Sequence, residues 1–551
     1  MFHNKKRCFL AVASVALIAT GCTKLNESLN SNLTQSQVTT ALGTNGTALL
    51  LNAAYADFAT PFTAQDNVFS LEECTADECL VPTRGGDWDD NGVWRVLHAH
   101  TWNSDHGQFL TVFNNLNKIN FDATNVLGFS PTAVQAAQAR YLRAYSLYYL
   151  LDLFGQFPFR NPGDNLLNPP KVYRGDSATS FVISELTSIM GTLPTTGAAS
   201  VATQNAAKAL LMRCYMNRGM YANRTSPTFA DADMQQVITL GNSIINSGTY
   251  KYMANYFSNF SYANSASTEA IFAYPNTSGV PALNSSPQTR WMMTFHYNEY
   301  TAQAPNAGWN GFSTIGDFYN SFNTGTGTST YSRKDTSWDP RLGGRVGSDP
   351  TAGTSISGIR PGFLAGQQYD QNGTALQDRK GNPLAFVPTI AANMIETGSN
   401  LEVTGIRVAK YVPDFSDAGG KYYASNSGNW IMLIRYPEVV LMVAEAKMRA
   451  ASPDNTGALA LVNALRAARG ASTLTTMPLV NKTNVNDPST LLAETGRELY
   501  WESIRRTNLL RFGVYNVLWQ YKTADDSHYN VFPIPTQSLA ANPNLIQNPG
   551  Y

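Results

Sequence analysis

The sequence is poor in charge. Only 14% of its 551 residues are Asp, Glu, Lys or Arg, where about 25% is usual. The two signs cancel, 39 against 39. A nucleic-acid binder carries a basic bias, and none exists here, so no nucleic-acid partner is expected. A polybasic membrane contact is excluded on the same ground. With so little charge the surface has to be built from Asn, Ser, Thr, Gln, Gly and Tyr, which suits neutral polar ligands better than ionic ones. Cysteine is scarce, at five residues. Only Cys74 and Cys79 lie close together, and zinc would need two more ligands. Of the six histidines, His98, His100 and His106 cluster without a His-Glu-x-x-His pattern. They read as hydrogen-bonded residues of a polar segment. No cofactor follows from these counts, and no G-x-S-x-G elbow is present for an esterase. Past residue 22 no apolar run reaches the roughly 20 residues that a membrane span needs.

What is present begins at the N-terminus. Lys5-Lys6-Arg7 precedes an apolar run from Cys8 to Ala19, followed by Thr20-Gly21-Cys22. A basic segment, a short apolar core and small residues before a cut make an export signal. The cysteine at the cut resembles a bacterial lipoprotein signal, with Ala19 where that pattern usually has Leu. The resemblance implies that residues 1–21 are a signal peptide and that Cys22 carries lipid, palmitate included. One acyl chain binds a membrane marginally and several anchor it stably. Residues 22–47, rich in Asn, Ser and Thr, read as a flexible tether. An exported context also permits a disulfide; Cys74 and Cys79 are the candidates, and spacing alone leaves the bridge open. Cys214 lies in a helical apolar pattern and reads as a small core residue.

The body divides by composition. Residues 48–250 carry helical periodicity, clearest over Gln135–Phe154 and Asn205–Tyr221, with shorter candidates at Phe181–Met190 and Met234–Ile245. Residues 251–430 are interrupted by Gly, Pro, Asn, Ser and Thr. Short strands are expected there at Ala270–Tyr274 and Val403–Tyr411, with loops elsewhere. Helices return over 431–551. Tyr436–Ala451 and Asn455–Arg469, joined by Ser452-Pro453-Asp454, form a helical hairpin of tetratricopeptide-repeat size. Leu491–Arg505 is a further helix.

Two aromatic groups could meet a ligand. In the first, Arg84-Gly85-Gly86-Asp87-Trp88-Asp89-Asp90-Asn91-Gly92-Val93-Trp94 is followed by Trp102, so three of nine tryptophans share one short stretch. An indole matches the C–H face of a sugar ring, and nearby Asp, Asn and Arg can bond its hydroxyl rim. The alternative is a set of core tryptophans under a loop. Trp88, flanked by acids and glycine, is the one expected to be exposed. The same stretch partly fits a calcium loop, with Asp87, Asp89 and Asn91 at alternate positions and Gly92 sixth. The twelfth residue is His98 where a bidentate Glu belongs, so a plain Asx turn competes. The second group comprises Trp291, Phe295, Tyr297, Tyr300, Trp309, Phe312 and Tyr319, interleaved with Asn and Gln. Tyr297 and Trp309 are its ligand candidates.

Several segments resemble the SusD/RagB family of nutrient-uptake outer-membrane lipoproteins of Bacteroidetes. They include Arg140-Tyr141-Leu142-Arg143-Ala144-Tyr145, Asp152-Leu153-Phe154-Gly155-Gln156-Phe157-Pro158 and Ile434-Arg435-Tyr436-Pro437-Glu438. Ala467-Ala468-Arg469-Gly470, Arg497-Glu498-Leu499-Tyr500-Trp501-Glu502, Pro533-Ile534-Pro535 and the tail from Asn542 to Tyr551 add to them. Asp339-Pro340-Arg341 and Tyr411-Val412-Pro413-Asp414 look like further signatures with structural jobs as turns and ion pairs. The resemblance implies a mostly α protein. Its tetratricopeptide-like helical scaffold would carry a loop-rich, irregular ligand region with a few short strands. It also implies capture of an oligosaccharide, or a peptide, at the cell surface, without chemistry. The ligand would be delivered to a TonB-dependent outer-membrane transporter of the SusC type that this protein caps as a lid. A glycan-active enzyme or a pure interaction scaffold are the competing readings.

Overall fold

The computed structural model describes residues 45–280, 286–299, 308–324, 338–343, 361–370, 374–398, 401–413 and 427–551. Cys22 and nearly all of the expected tether lie outside them. The chain is mostly helical, with only short strands, as expected.

Ala133–Phe154 is the central helix. Thr132 starts it with a capping box closed by Gln135, and Gly155 ends it in the left-handed region at φ 71°. Every residue from Tyr141 to Phe154 is buried. Its contact surface is thus the whole circumference, not one periodic apolar face. A helix covered on all sides belongs to the middle of a core. Its buried charged residues are paired: Arg143 meets Glu185, and Asp152 accepts from Tyr221 Oη at 2.8 Å and Thr507 Oγ1 at 2.9 Å.

Helices stack from this rod in chain order, each on the one before. Gly107–Leu127 lies on Ala133–Phe154, followed by Gly175–Ile189, Gln204–Ala222 and Asp231–Ile245. The array then jumps. Tyr436–Arg449 packs directly on Asp231–Ile245, and Asn455–Ala468 packs on Tyr436–Arg449. The close approach at the jump needs a glycine: a Cβ on Gly241 would come 2.2 Å from Val443 Cγ2. Cys214 is buried in this array, as expected.

The loop-rich middle is an excursion pinned at its base. Ala270–Tyr274 pairs antiparallel with Ile431–Arg435, setting Tyr274 opposite Ile431 and Ala270 opposite Arg435. The other expected strand is shorter than Val403–Tyr411: only Arg407–Ala409 is extended, paired with Gly362–Leu364.

The expected helix Leu491–Arg505 is broken. It stops at Leu499, and a new helix runs over Arg505–Arg511. Between them Trp501 and Ser503 have φ of 58° and 62°. The break lets backbone N–H groups serve buried acids that a continuous helix would leave unmet. Trp501 N donates to Glu78 Oε2 at 3.1 Å, and Ser503 N donates to Glu73 Oε1 at 2.6 Å.

The C-terminal sequence signatures converge on Glu498, which is fully buried. Its carboxylate meets Arg341 at 3.1 Å, Arg435 at 3.0 Å and Arg469 at 2.7 Å. Arg341 is also held by Asp339 and Glu494, and Arg435 by Glu269 and Glu502. Asp339-Pro340-Arg341 is thus the turn and buried ion pair expected of it; Asp414 lies outside the described residues. Cys74 and Cys79 are buried and unbridged, with sulphurs 3.7 Å apart.

Candidate functional site

The first aromatic stretch opens as a tight reversal. Arg84 and Asp87 exchange backbone hydrogen bonds of 2.9 and 3.1 Å, and Thr83–Arg84 pairs with Ile395–Glu396. Beyond it Trp88, Asp90 and Asn91 all have positive φ, at 60°, 41° and 56°. Such a run in non-glycine residues is costly and persists only where surrounding contacts hold it. The contacts here are on the indole of Trp88. Its Nε1 donates to the carbonyl of Trp309 at 2.8 Å. Its ring meets Phe312 and Trp94 edge-on, with centroids 5.5 and 5.6 Å away. It lies on the bare backbone of Gly311, where a Cβ would come 2.3 Å from Cε2.

The Trp88 indole is therefore tied to the backbone of Trp309, and both residues are half-buried. Tyr297 joins them through Asp87, to which its hydroxyl donates at 2.5 Å. Burial, reinforced by that carboxylate, raises the phenol's pKa, so Tyr297 stays a neutral donor. Asp87, Trp88, Tyr297 and Trp309 thus form one half-exposed shelf.

A residue that sequence reasoning missed completes it. The Arg379 guanidinium lies 3.9 Å over the Tyr297 ring. It reaches Asp87 at 3.3 Å and Glu402 at 2.6 Å while its side chain stays 48% exposed. Glu402 is buried and also lies 2.9 Å from His296 Nε2. Burial opposes its charge, yet the hydrogen bonds from His296 and Arg379 hold its carboxyl down to about 2. Arg379 and Asp87 are 292 residues apart in the chain, and no local pattern marks either Arg379 or Glu402.

Three expected site residues are not on the shelf. Arg84 is buried, donating to Leu401 O at 3.0 Å, Thr404 Oγ1 at 2.6 Å and Ser313 Oγ at 2.9 Å. It ties loops together beneath the shelf. Trp94 is buried behind Trp88, with Nε1 on Asp90 Oδ2 at 2.7 Å. Trp102 is buried far along the chain's tail, donating to Tyr551 Oη at 2.9 Å and packed on Phe532. For these two tryptophans the core alternative is the correct one, because each indole fills a gap between segments distant in sequence. In the second group Trp291, Phe295, Phe312 and Tyr319 are also core, and Tyr300 lies outside the described residues.

The calcium pattern is not assembled. Asp87 faces Tyr297 and Arg379, while Asp89 pairs with Arg95 at 2.9 Å. Among the described residues no group of three His, Cys, Asp or Glu side chains could hold a metal ion. The three clustered histidines are bonded to protein groups, as expected: His98 to the carbonyls of Cys79 and Gln520, His100 to Asp525 and Thr75, His106 to Val93.

The scaffold is a helical array whose loop excursion carries half-buried Trp88, Tyr297 and Trp309. The chain belongs to the SusD family: the family model matches residues 268–551. The starch-binding protein SusD of Bacteroides thetaiotaomicron is 25% identical over 503 residues, spanning 88% of this chain and 85% of that one. Two solved structures share the fold. A SusD superfamily protein from Parabacteroides distasonis superposes with a TM-score of 0.65 at 17% identity, over 94% of this chain and all of that one. Surface glycan-binding protein A from Bacteroides thetaiotaomicron, solved with laminarihexaose, gives 0.61 at 17%, over 92% and 99%.

Proposed function

We propose that this protein captures a neutral oligosaccharide on the shelf formed by Asp87, Trp88, Tyr297, Trp309 and Arg379. The observation that carries the reading is that half-buried Trp88, tied to the backbone of Trp309, lies next to Asp87, which with Arg379 also engages half-buried Tyr297. Flat rings cover the apolar face of a pyranose at low entropy cost, and the interleaved carboxylate and guanidinium bond hydroxyls. Relatives described as starch-binding and glycan-binding support a glycan over a peptide. The reading is binding without chemistry. A glycosidase needs one carboxyl with a raised pKa, whereas Glu402 is held low by its hydrogen bonds from His296 and Arg379.

Around that site the protein acts as a surface lipoprotein, anchored through Cys22, that closes over a TonB-dependent transporter of the SusC type. The family membership and the N-terminal signal support this placement. No helix among the described residues is long and apolar enough to cross a membrane. Calorimetry with a panel of neutral polysaccharides tests the site: Trp88→Ala weakens binding at least tenfold, and unchanged binding overturns the assignment. Fractionation tests the anchor: Cys22→Ala releases the protein from the membrane, and retention places the anchor elsewhere.

A further inference from the structure

The molecule has a second concave surface, separate from the shelf. A groove of about 860 Å³ runs between the helix Gly107–Leu127, the loop joining Gln156–Phe159 to Lys171–Arg174, and the short helix Thr536–Ala541. Its size lies within the range of small-ligand sites, about 300–1,000 Å³. None of its lining residues belongs to the shelf.

Its chemistry is specific. The Gly107–Leu127 helix presents Asn114, Asn117, Phe121 and Asn125 to the groove, at the three- and four-residue spacing that puts side chains on one helical face. A scaffold helix would place aliphatic residues or charges there; this one places amides around a ring. Phe121 is 44% exposed. Deeper down, Asn120 donates to Pro158 O at 3.0 Å, yet its Oδ1 has no partner although the residue is only 7% exposed. The Oδ1 of Asn117 is unpartnered as well. Buried amide oxygens left without donors are rare and costly, and both belong to residues that line the groove.

The far wall is preformed. Arg160 turns its guanidinium back into its own loop, donating to the carbonyls of Asn165 at 2.8 Å and Leu166 at 3.2 Å. These donors of the guanidinium are spent on holding the wall. An amide is donor and acceptor at once, as is a hydroxyl. A row of amides flanking a phenyl face therefore suits a neutral polyhydroxylated ring.

We propose that this groove is a second carbohydrate-binding site, on the helical half and independent of the aromatic shelf. It rests on the reading of the protein as a glycan binder but not on the shelf residues. The site gives the scaffold a hold on a glycan separate from the one on the shelf.

The test uses the whole protein with maltohexaose, laminarihexaose, cellohexaose and xylohexaose in calorimetry. A Trp88→Ala background disables the shelf. Residual binding of at least one hexasaccharide is expected, falling about tenfold further in Trp88→Ala/Asn117→Ala/Phe121→Ala. Because the groove contains no tryptophan, Phe121→Trp in the Trp88→Ala background adds a local fluorescence reporter that the same sugar shifts. If the wild type binds but Trp88→Ala alone abolishes every titration, the groove proposal falls and the shelf reading stands. If the wild type binds none of the four, both fall. A concentration-dependent dimer lost in Leu166→Ser/Leu167→Ser shows a groove occupied by a second copy, and also overturns the proposal.

Discussion

Arg435 and Arg379 use the same chemistry in two regions with opposite results. Each guanidinium lies over aromatic rings and between two or more carboxylates. Arg435, at the junction of the helical array, is fully buried among Glu269, Glu498 and Glu502, with the Phe260 ring 5.2 Å away. Arg379, on the loop excursion, keeps half its surface in water beside Asp87, Glu402 and Tyr297. Taking a buried charge from its partners leaves it with nothing to replace them. An exposed one trades partners with water at little cost. The first arrangement fixes the fold, and the second leaves hydrogen-bonding capacity for a ligand.

The comparison can be broken at several points. The largest effect belongs to Glu498→Ala, which strips a shared carboxylate from three buried arginines and costs about 3–5 kcal/mol of stability. Denaturant unfolding measures it; a loss below about 1 kcal/mol would mean the network is redundant. Gly311→Val comes next. Its side chain displaces the Trp88 indole, so glycan affinity falls about tenfold while overpacking costs about 1–3 kcal/mol. Normal binding by a folded Gly311→Val protein would remove Trp88 from the site.

Acidity separates the two kinds of buried acid. Burial pushes Glu73 up to about 7. Its folded value lies above its ordinary 4.5, so its contribution is complete below about 4.5 and lost as pH rises through 7. Burial also opposes ionisation of Glu498, but Arg469 and Arg435 hold it down to about 2. That contribution is complete above about 4.5 and lost as pH falls towards 2. The melting temperature is therefore expected to peak near pH 4.5 and to fall towards pH 7, and one still climbing at pH 8 contradicts the assignment for Glu73. The smallest effect is on the shelf: Arg379→Ala weakens glycan binding about two- to fivefold and lowers the melting temperature far less than Glu498→Ala, because Glu402 keeps His296.

Much of the scaffold was legible from local pattern. The helices at Ala133–Phe154, Gln204–Ala222, Tyr436–Arg449 and Asn455–Ala468 fall where 3.6-residue periodicity and turn residues set them. The break after Leu499 was not legible, because its cause is Glu73 and Glu78, some 420 to 430 residues away in the chain. The site was half legible. Trp88, Tyr297 and Trp309 were named from composition, but so were Trp94 and Trp102, which carry the same side chain into the core.

The sequence by itself determined the helical frame, the neutral surface and the kinds of side chain available for a ligand. These follow from periodicity and composition, which are properties of neighbours along the chain. Tertiary structure alone decided which tryptophans face solvent, that Arg379 closes over Tyr297, and that Asn117 and Asn120 border a groove. Exposure depends on which distant segments pack against a residue: Phe312 and Gly311 support Trp88 from below, while Phe532 and Tyr551 cover Trp102.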